Sequence, residues 1–203
     1  VMETLGSAFH TKTIEGYPGN RSHAGCRYAD QIEKLAVERG KTLFGAGHAN
    51  VQPHSGTSAN LAVYFSVLDV GDRVLAMRLP HGGHLSHGHR ASITSKCFDF
   101  RHYSVNPETE QIDYEEIEAI AEEIRPKMIV AGASSYARLI DYERLAHIAR
   151  HVSAYLMVDM AHIAGLVAAG IIPSPIDCSD FVTFTCYKTM MGGRGGGVLA
   201  REA

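Results

Sequence analysis

The chain has 203 residues, 45% apolar and 20% charged, enough for one domain with a substantial core. A net charge of −3, a pI near 6.5 and the lack of a basic stripe argue against nucleic acid or anionic membrane as partners. Four irregularly spaced cysteines (Cys26, Cys97, Cys178, Cys186) with no C-x-x-C imply free thiols in a reducing compartment, not a disulfide frame or zinc knuckle.

In chain order, residues 1–25 are polar and turn-rich, and IEGYPGNR (14–21) reads as a loop from its Gly-Tyr-Pro-Gly chemistry. Apolar residues at 32, 35, 36 and 43 give Ala29 to Leu43 a helical period. Val51 begins a short lead into a second helix. Its N-terminus is expected at Ser55-Gly56-Thr57-Ser58 and its apolar body from Asn60 to Leu68. Gly71-Asp72 turns into the strand RVLAMRL, followed by HGGHLSHGH (81–89). Then come a strand near Cys97 to Tyr103, a helix around Tyr114 to Ile124 and the strand KMIVAGA (127–133). A helix over Tyr142 to His151 precedes strands at Ala154 to Asp159, Phe181 to Thr185 and Gly197 to Ala200.

Strands alternating with helices, several of them continuous apolar runs, predict an α/β domain. Its expected form is a three-layer αβα sandwich around a mostly parallel sheet covered on both faces. No signal-peptide pattern opens the chain, and the apolar stretch around Ile163 to Ile172 is too short to span a bilayer. The expectation is a soluble, cytoplasmic protein. Val1 at one end and Arg201-Glu202-Ala203 after a strand-like VLA at the other lead us to expect a segment of a longer protein.

Ligands of such sheets bind beyond the carboxyl ends of the strands, where Ser134, Asp159 and Lys188 fall. Ser55-Gly56-Thr57-Ser58 offers hydroxyls and backbone N–H groups at a helix start, which suits a phosphate as well as a plain N-cap. Walker A is absent, and GGRGGG (192–197) does not fit a dinucleotide fingerprint. The histidines at 81, 84, 87 and 89 are spaced for a metal site. However, no H-E-x-x-H is present and two glycines make the segment a loop, so no metal is assigned. Instead, His84 is read as a ring stacked on a planar ligand. Asp159 either caps the following AHIAGLV segment or is the counter-charge of a protonated ring nitrogen. Lys188, in an apolar run before a glycine-rich turn, is either a snorkelling lysine or an amine made nucleophilic by burial. Asp159 and Lys188 lie 29 residues apart on successive strands. With the phosphate-suited helix start, they fit a pyridoxal phosphate (PLP) site.

These motifs carry a resemblance. EGYPGNR (15–21), NVQPHSGTSAN (50–60), HGGHLSHG (81–88), PKMIVAGASSY (126–136), YLMVDMAHIAGLVAAG (155–170) and YKTMMGGRGG (187–196) run collinearly over the whole chain. They resemble serine hydroxymethyltransferase, a PLP enzyme of the aspartate-aminotransferase-like fold (fold type I). The resemblance implies that residues 1–203 are the PLP-binding large domain, about half of a full-length member, without its N-terminal arm and C-terminal small domain. It makes Lys188 the lysine that binds the cofactor covalently, Asp159 the pyridinium partner and His84 the stacking ring. By the same resemblance, His162 and Ser134 lie near the cofactor's phenolic oxygen, and Ser55, Gly56 and Thr57 form the phosphate cup. Glu15 handles the proton of the substrate hydroxyl across a homodimer interface. The implied reaction opens the Cα–Cβ bond of a β-hydroxy-α-amino acid, and tetrahydrofolate accepts the one-carbon unit.

Three positions depart from the family pattern: Thr13 and His23 replace tyrosines, and Tyr187 replaces the histidine before the lysine. The usual G-P-R-G is also Gly193-Arg194-Gly195 without proline. The Thr13 exchange frees about three or four methyl-sized volumes near the substrate α-carbon, in a protein interior dense enough for such space to matter. This predicts a site that takes 2-methylserine and D-alanine in place of serine and glycine. A folate-independent aldolase on the same scaffold and a non-catalytic assembly fragment are the alternative readings.

Overall fold

The computed structural model describes residues 1–202. A short helix α1 (Met2–Leu5) and a single 3-10 turn lead into a small hairpin, β1 (Gly16–Tyr17) with β2 (Asn20–Arg21). Then follow α2 (Arg27–Phe44), β3 (His48–Asn50), α3 (Gly56–Val67), β4 (Arg73–Met77), α4 (Thr94–Cys97) and β5 (Asp99–Tyr103). The second half holds α5 (Tyr114–Ile124), β6 (Met128–Ala131), α6 (Tyr142–His151), β7 (Tyr155–Asp159), α7 (Ala164–Ala168), β8 (Phe181–Thr185) and β9 (Gly196–Ala200).

Several boundaries have a local cause. Asp113 accepts the Glu115 and Glu116 amides and Asp141 accepts the Arg144 amide, so α5 and α6 start where side-chain caps satisfy their first donors. Helix α2 stops at Gly45, whose φ of 69° is left-handed.

Seven strands form one sheet in the order β3-β9-β8-β7-β6-β4-β5. Strands β4 to β8 are parallel, and β9 runs antiparallel to both β8 and β3. Side chains alternate across the sheet as a period of two requires. Leu75, Met77, Ile129, Ala131, Leu156 and Val158 pack with residues of α2, α5, α6 and α7 on one face. Val74, Ala76, Met128, Val130 and Met157 pack under Val63, Tyr64 and Leu68 on the other. These strand residues are almost wholly buried, each large aliphatic side chain contributing about 2 kcal/mol. The three-layer αβα architecture with a mostly parallel sheet is the one expected.

The apolar stripe that reveals α2 does not mark its buried face. Ile32, Leu35 and Leu43 are about half exposed, and Tyr28 is 64% exposed. Hydrophobic period locates a helix but does not say what covers it. One end of α2 instead serves as an anchor. Arg21 donates from Nε to Asp30 at 2.8 Å and from Nη2 to Glu33 at 2.5 Å, while Asp30 also accepts the Gly19 amide. Gln52 Nε2 adds bonds to Gly16 O at 3.0 Å and Glu33 at 2.8 Å, so the EGYPGNR turn is tied down on α2.

Close approach of β6 and β7 at their carboxyl ends requires glycine at 132. Its φ is 99°, and a Cβ there would collide with the Asp159 carbonyl. Gly132→Ala should therefore destabilise the domain by about 3 kcal/mol or more, read as a fall in the denaturation midpoint. An unchanged midpoint would contradict this packing.

Candidate active site

Helix α3 begins at a cleft. Ser55 is its N-cap: Ser55 Oγ accepts the Ser58 amide at 3.3 Å, and Ser58 Oγ accepts the Ser55 amide at 2.8 Å. This reciprocal cap satisfies two donors. The amides of Gly56 and Thr57 have no acceptor among the described residues, and both residues line the cleft. The positive end of a 12-residue helix thus presents two free donors to it. Gly56 also answers a steric demand, since a Cβ there would lie 2.8 Å from Thr185 Cγ2.

Opposite, Asp159 ends β7 and is buried. It caps no helix, because α7 starts at Ala164 with Ile163 in the cap position. Oδ1 of Asp159 accepts the Ala161 amide at 3.0 Å. Oδ2 accepts from Asn60 Nδ2 at 2.8 Å and from His87 Nε2 at 3.1 Å. Burial alone would raise this carboxyl; the hydrogen bonds from His87, Asn60 and the Ala161 amide overcome it and hold the pKa down at about 2. Thr183 on β8 donates to Asn60 Oδ1 at 2.6 Å, locking the amide from behind. A fixed negative charge therefore sits on the floor of the cleft at any physiological pH.

Lys188 follows β8 by three residues and is partly buried. Burial lowers its amine from the ordinary value, and the charge of Asp159 opposes this. Burial likewise lowers His84 and His162, and the charge of Lys188 adds to the effect. The lysine loop is pinned to the segment after β7 through Thr189, whose Oγ1 donates to His162 O at 2.9 Å and accepts the Gly165 amide at 3.0 Å. Tyr187 lies beneath Arg194, whose guanidinium carbon is 4.5 Å from the ring centroid. Ser134 is positioned by its own amide, which donates to Gly82 O at 2.6 Å.

The cleft opens to solvent, and the space within and in front of it amounts to about 340 Å³. Gly56, Thr57, His84, Ser134, Asp159, His162, Tyr187 and Lys188 all line it. These residues come from the carboxyl ends of β6, β7 and β8, the loop after β4 and the start of α3. The family model of serine hydroxymethyltransferase matches residues 1–203. The chain belongs to the serine hydroxymethyltransferase family. Membership carries with it PLP-dependent hydroxymethyl transfer in general.

The residues fit that cofactor on structural grounds. A buried carboxylate kept ionised suits a protonated pyridine nitrogen, and free amides at a helix start suit a phosphate. An amine of lowered pKa suits a carbonyl carbon. Two family positions assigned from sequence behave otherwise in the single chain. Ser55 does not line the cleft; its hydroxyl serves the helix cap. Glu15, with Thr13 and His23, is exposed and outside the cleft. No helix among the described residues is long and apolar enough to cross a membrane.

Sequence reading missed the residues that support Asp159: Asn60, Ser86, His87 and Thr183. A trace of signal was present. Asn60 interrupts an apolar helical body, and His87 stands three residues from His84. Their partners are distant in sequence, Asp159 being 99 positions and Thr183 123 positions from Asn60. His84, His87 and Asp159 each bring one ligand-capable atom within 4.8 Å of the others, a grouping that joins two of the four clustered histidines to a carboxylate the sequence did not place beside them. In this structure His87 and Asp159 are instead joined by a hydrogen bond.

Proposed function

We propose that residues 1–203 are the PLP-binding large domain of an enzyme that moves a hydroxymethyl unit between a β-hydroxy-α-amino acid and glycine or alanine. Tetrahydrofolate is the one-carbon carrier in this reading. The observation that carries it is the convergence of ionised Asp159, partly buried Lys188 and the free Gly56 and Thr57 amides on one cleft. When bound, the cofactor supplies an electron sink for the Cα–Cβ bond that breaks. Asp159 would favour a proton on the cofactor's ring nitrogen, and His84 would face the ring. Gly56 and Thr57 hold the phosphate, with Ser55 shaping the turn that exposes them. Ser134 and His162 bond near the phenolic oxygen. Lys188 would hold the cofactor through its amine, which lines the cleft.

Glu15 takes the proton of the substrate hydroxyl in this scheme, from a second copy of the chain. Two features support a homodimer: the exposed position of Glu15 on a turn braced by Arg21, and the unpartnered apolar face of α2. Thr13 and His23 lie on the same exposed segment and would shape the partner's site together with Tyr187 there.

Thr13 in place of a tyrosine favours a substrate with an α-methyl group. With the full-length enzyme, PLP and tetrahydrofolate, kcat/KM for 2-methylserine is expected to exceed that for serine by about tenfold or more, one methyl group being worth about 1–3 kcal/mol in a fitted pocket. A preference for serine overturns the 2-methylserine assignment. Unchanged cleavage without folate identifies an aldolase instead.

A further inference from the structure

We propose that Ser86 and Asn60 form a hydrogen-bond chain from Asp159 to His84 that fixes His84 as the Nε2–H tautomer and sets the angle of its ring. The donor and acceptor rules leave one arrangement. A carboxylate only accepts, so the Asn60 atom 2.8 Å from Asp159 Oδ2 is the amide nitrogen. That orientation also leaves Asn60 Oδ1 to accept from Thr183 Oγ1. The second Asn60 N–H is directed to Ser86 Oγ at 2.9 Å. Ser86 Oγ therefore accepts there, and its own hydrogen goes to His84 Nδ1 at 2.8 Å. His84 Nδ1 also receives the Ser86 amide at 3.2 Å. A ring nitrogen that accepts twice carries no hydrogen, so the neutral ring of His84 holds its hydrogen on Nε2.

The same logic applies next door. The His84 amide donates to His87 Nδ1 at 3.2 Å, which puts the hydrogen of His87 on Nε2, where it meets Asp159. One buried network thus assigns both histidines. Asn60, Ser86, His87 and Thr183 are each at most 1% exposed, and no buried side-chain polar atom among the described residues lacks a partner. Ser86 is the hub, since among the described residues it alone hydrogen-bonds both Asn60 and the His84 side chain, and the Tyr64 hydroxyl donates to its carbonyl at 3.2 Å. Ser86 is a positioning residue: it acts on the cofactor through His84.

This inference rests on the PLP reading for its consequence, but not for its geometry. The test uses the full-length protein with ¹⁵N-labelled histidine, with and without PLP, as wild type, Ser86→Ala and Ser86→Thr. His84 signals are assigned by their loss in His84→Asn. Wild type is expected to show an unprotonated Nδ1 for His84 whether or not PLP is bound. Ser86→Ala leaves only the longer amide bond of 3.2 Å on Nδ1 in place of the 2.8 Å hydroxyl bond, and the His84 signals should then report a tautomer mixture. The visible circular dichroism of bound PLP should fall by about half, and kcat by about tenfold with less change in KM, the usual scale for groups that orient a functional ligand. Ser86→Thr, which keeps the hydroxyl, should restore the single tautomer and the dichroism. A single Nε2–H tautomer retained in Ser86→Ala overturns the proposal. So does equal loss in both Ser86 variants, which would make the site one of packing alone. Failure of the wild type to bind PLP would strike the functional reading and leave the tautomer result to decide this one.

Discussion

Lys188→Ala is expected to give a folded protein that binds no PLP covalently and has lost at least about 10³-fold in activity. The amine stands at the end of β8 in a cleft whose floor is negative and whose walls are histidines of lowered pKa. Burial shifts Lys188 toward its neutral form, and only the neutral amine attacks a carbonyl. Because the side chain is partly exposed and makes no salt bridge among the described residues, its removal should cost under about 1 kcal/mol of stability. Reduction with borohydride followed by peptide mass analysis reads the outcome directly. Wild type should carry a cofactor adduct on Lys188 and the variant none. An adduct on any other lysine would displace Lys188 from its role.

Asp159→Asn should lower kcat about 10²- to 10⁴-fold while also destabilising the domain, a double effect that a purely electrostatic role would not produce. The amide removes the fixed negative charge. It also turns a donor toward Asn60 Nδ2, the His87 Nε2–H or the Ala161 amide, leaving buried donors facing each other. The pH dependence has a definite sign. With its folded pKa held at about 2, below the ordinary 3.8, Asp159 stabilises the fold above the unfolded value, and this contribution disappears as pH falls through the window from about 4 to about 2. The difference is worth about 2 kcal/mol at neutral pH. Denaturant titrations at a series of pH values should show this acid limb in wild type and a shallower one in the variant. Identical limbs would mean that another carboxylate carries the effect.

Elements with a local signature were legible from sequence. Helices α5 and α6 carry Asp caps and strong periods, and β8 is a short apolar run between turn residues, so their bounds were readable residue by residue. Strand β3 was not, because three residues His48-Ala49-Asn50 have no pattern of their own and exist as a strand through pairing with β9. The direction of β9 was likewise invisible, since a run of Gly-Gly-Val-Leu-Ala reads the same in either sense. The candidate site was legible where a residue type is unusual for its setting: a charge after YLMV, a lysine after an apolar strand, small residues at a helix start. Its supporting ring of Asn60, Ser86, His87 and Thr183 was not, because each is an ordinary residue whose meaning lies in a partner far along the chain. Thr13, Glu15 and His23 stand apart for a further reason, as one chain by itself does not bring them to the cleft.

The crossing of β7, β8 and α3 at that cleft bears on how the protein is made. Bonds spanning 72, 99 and 123 residues meet at one buried knot of polar groups. Closing loops of that size is entropically costly and slow, and none of these groups is compensated for leaving water until all have arrived. The strands around it can begin to collapse on their apolar faces alone. The polar knot is complete only when α3, the loop after β4, β7 and β8 have all come together, so the ability to hold a cofactor reports that these parts of the chain have met.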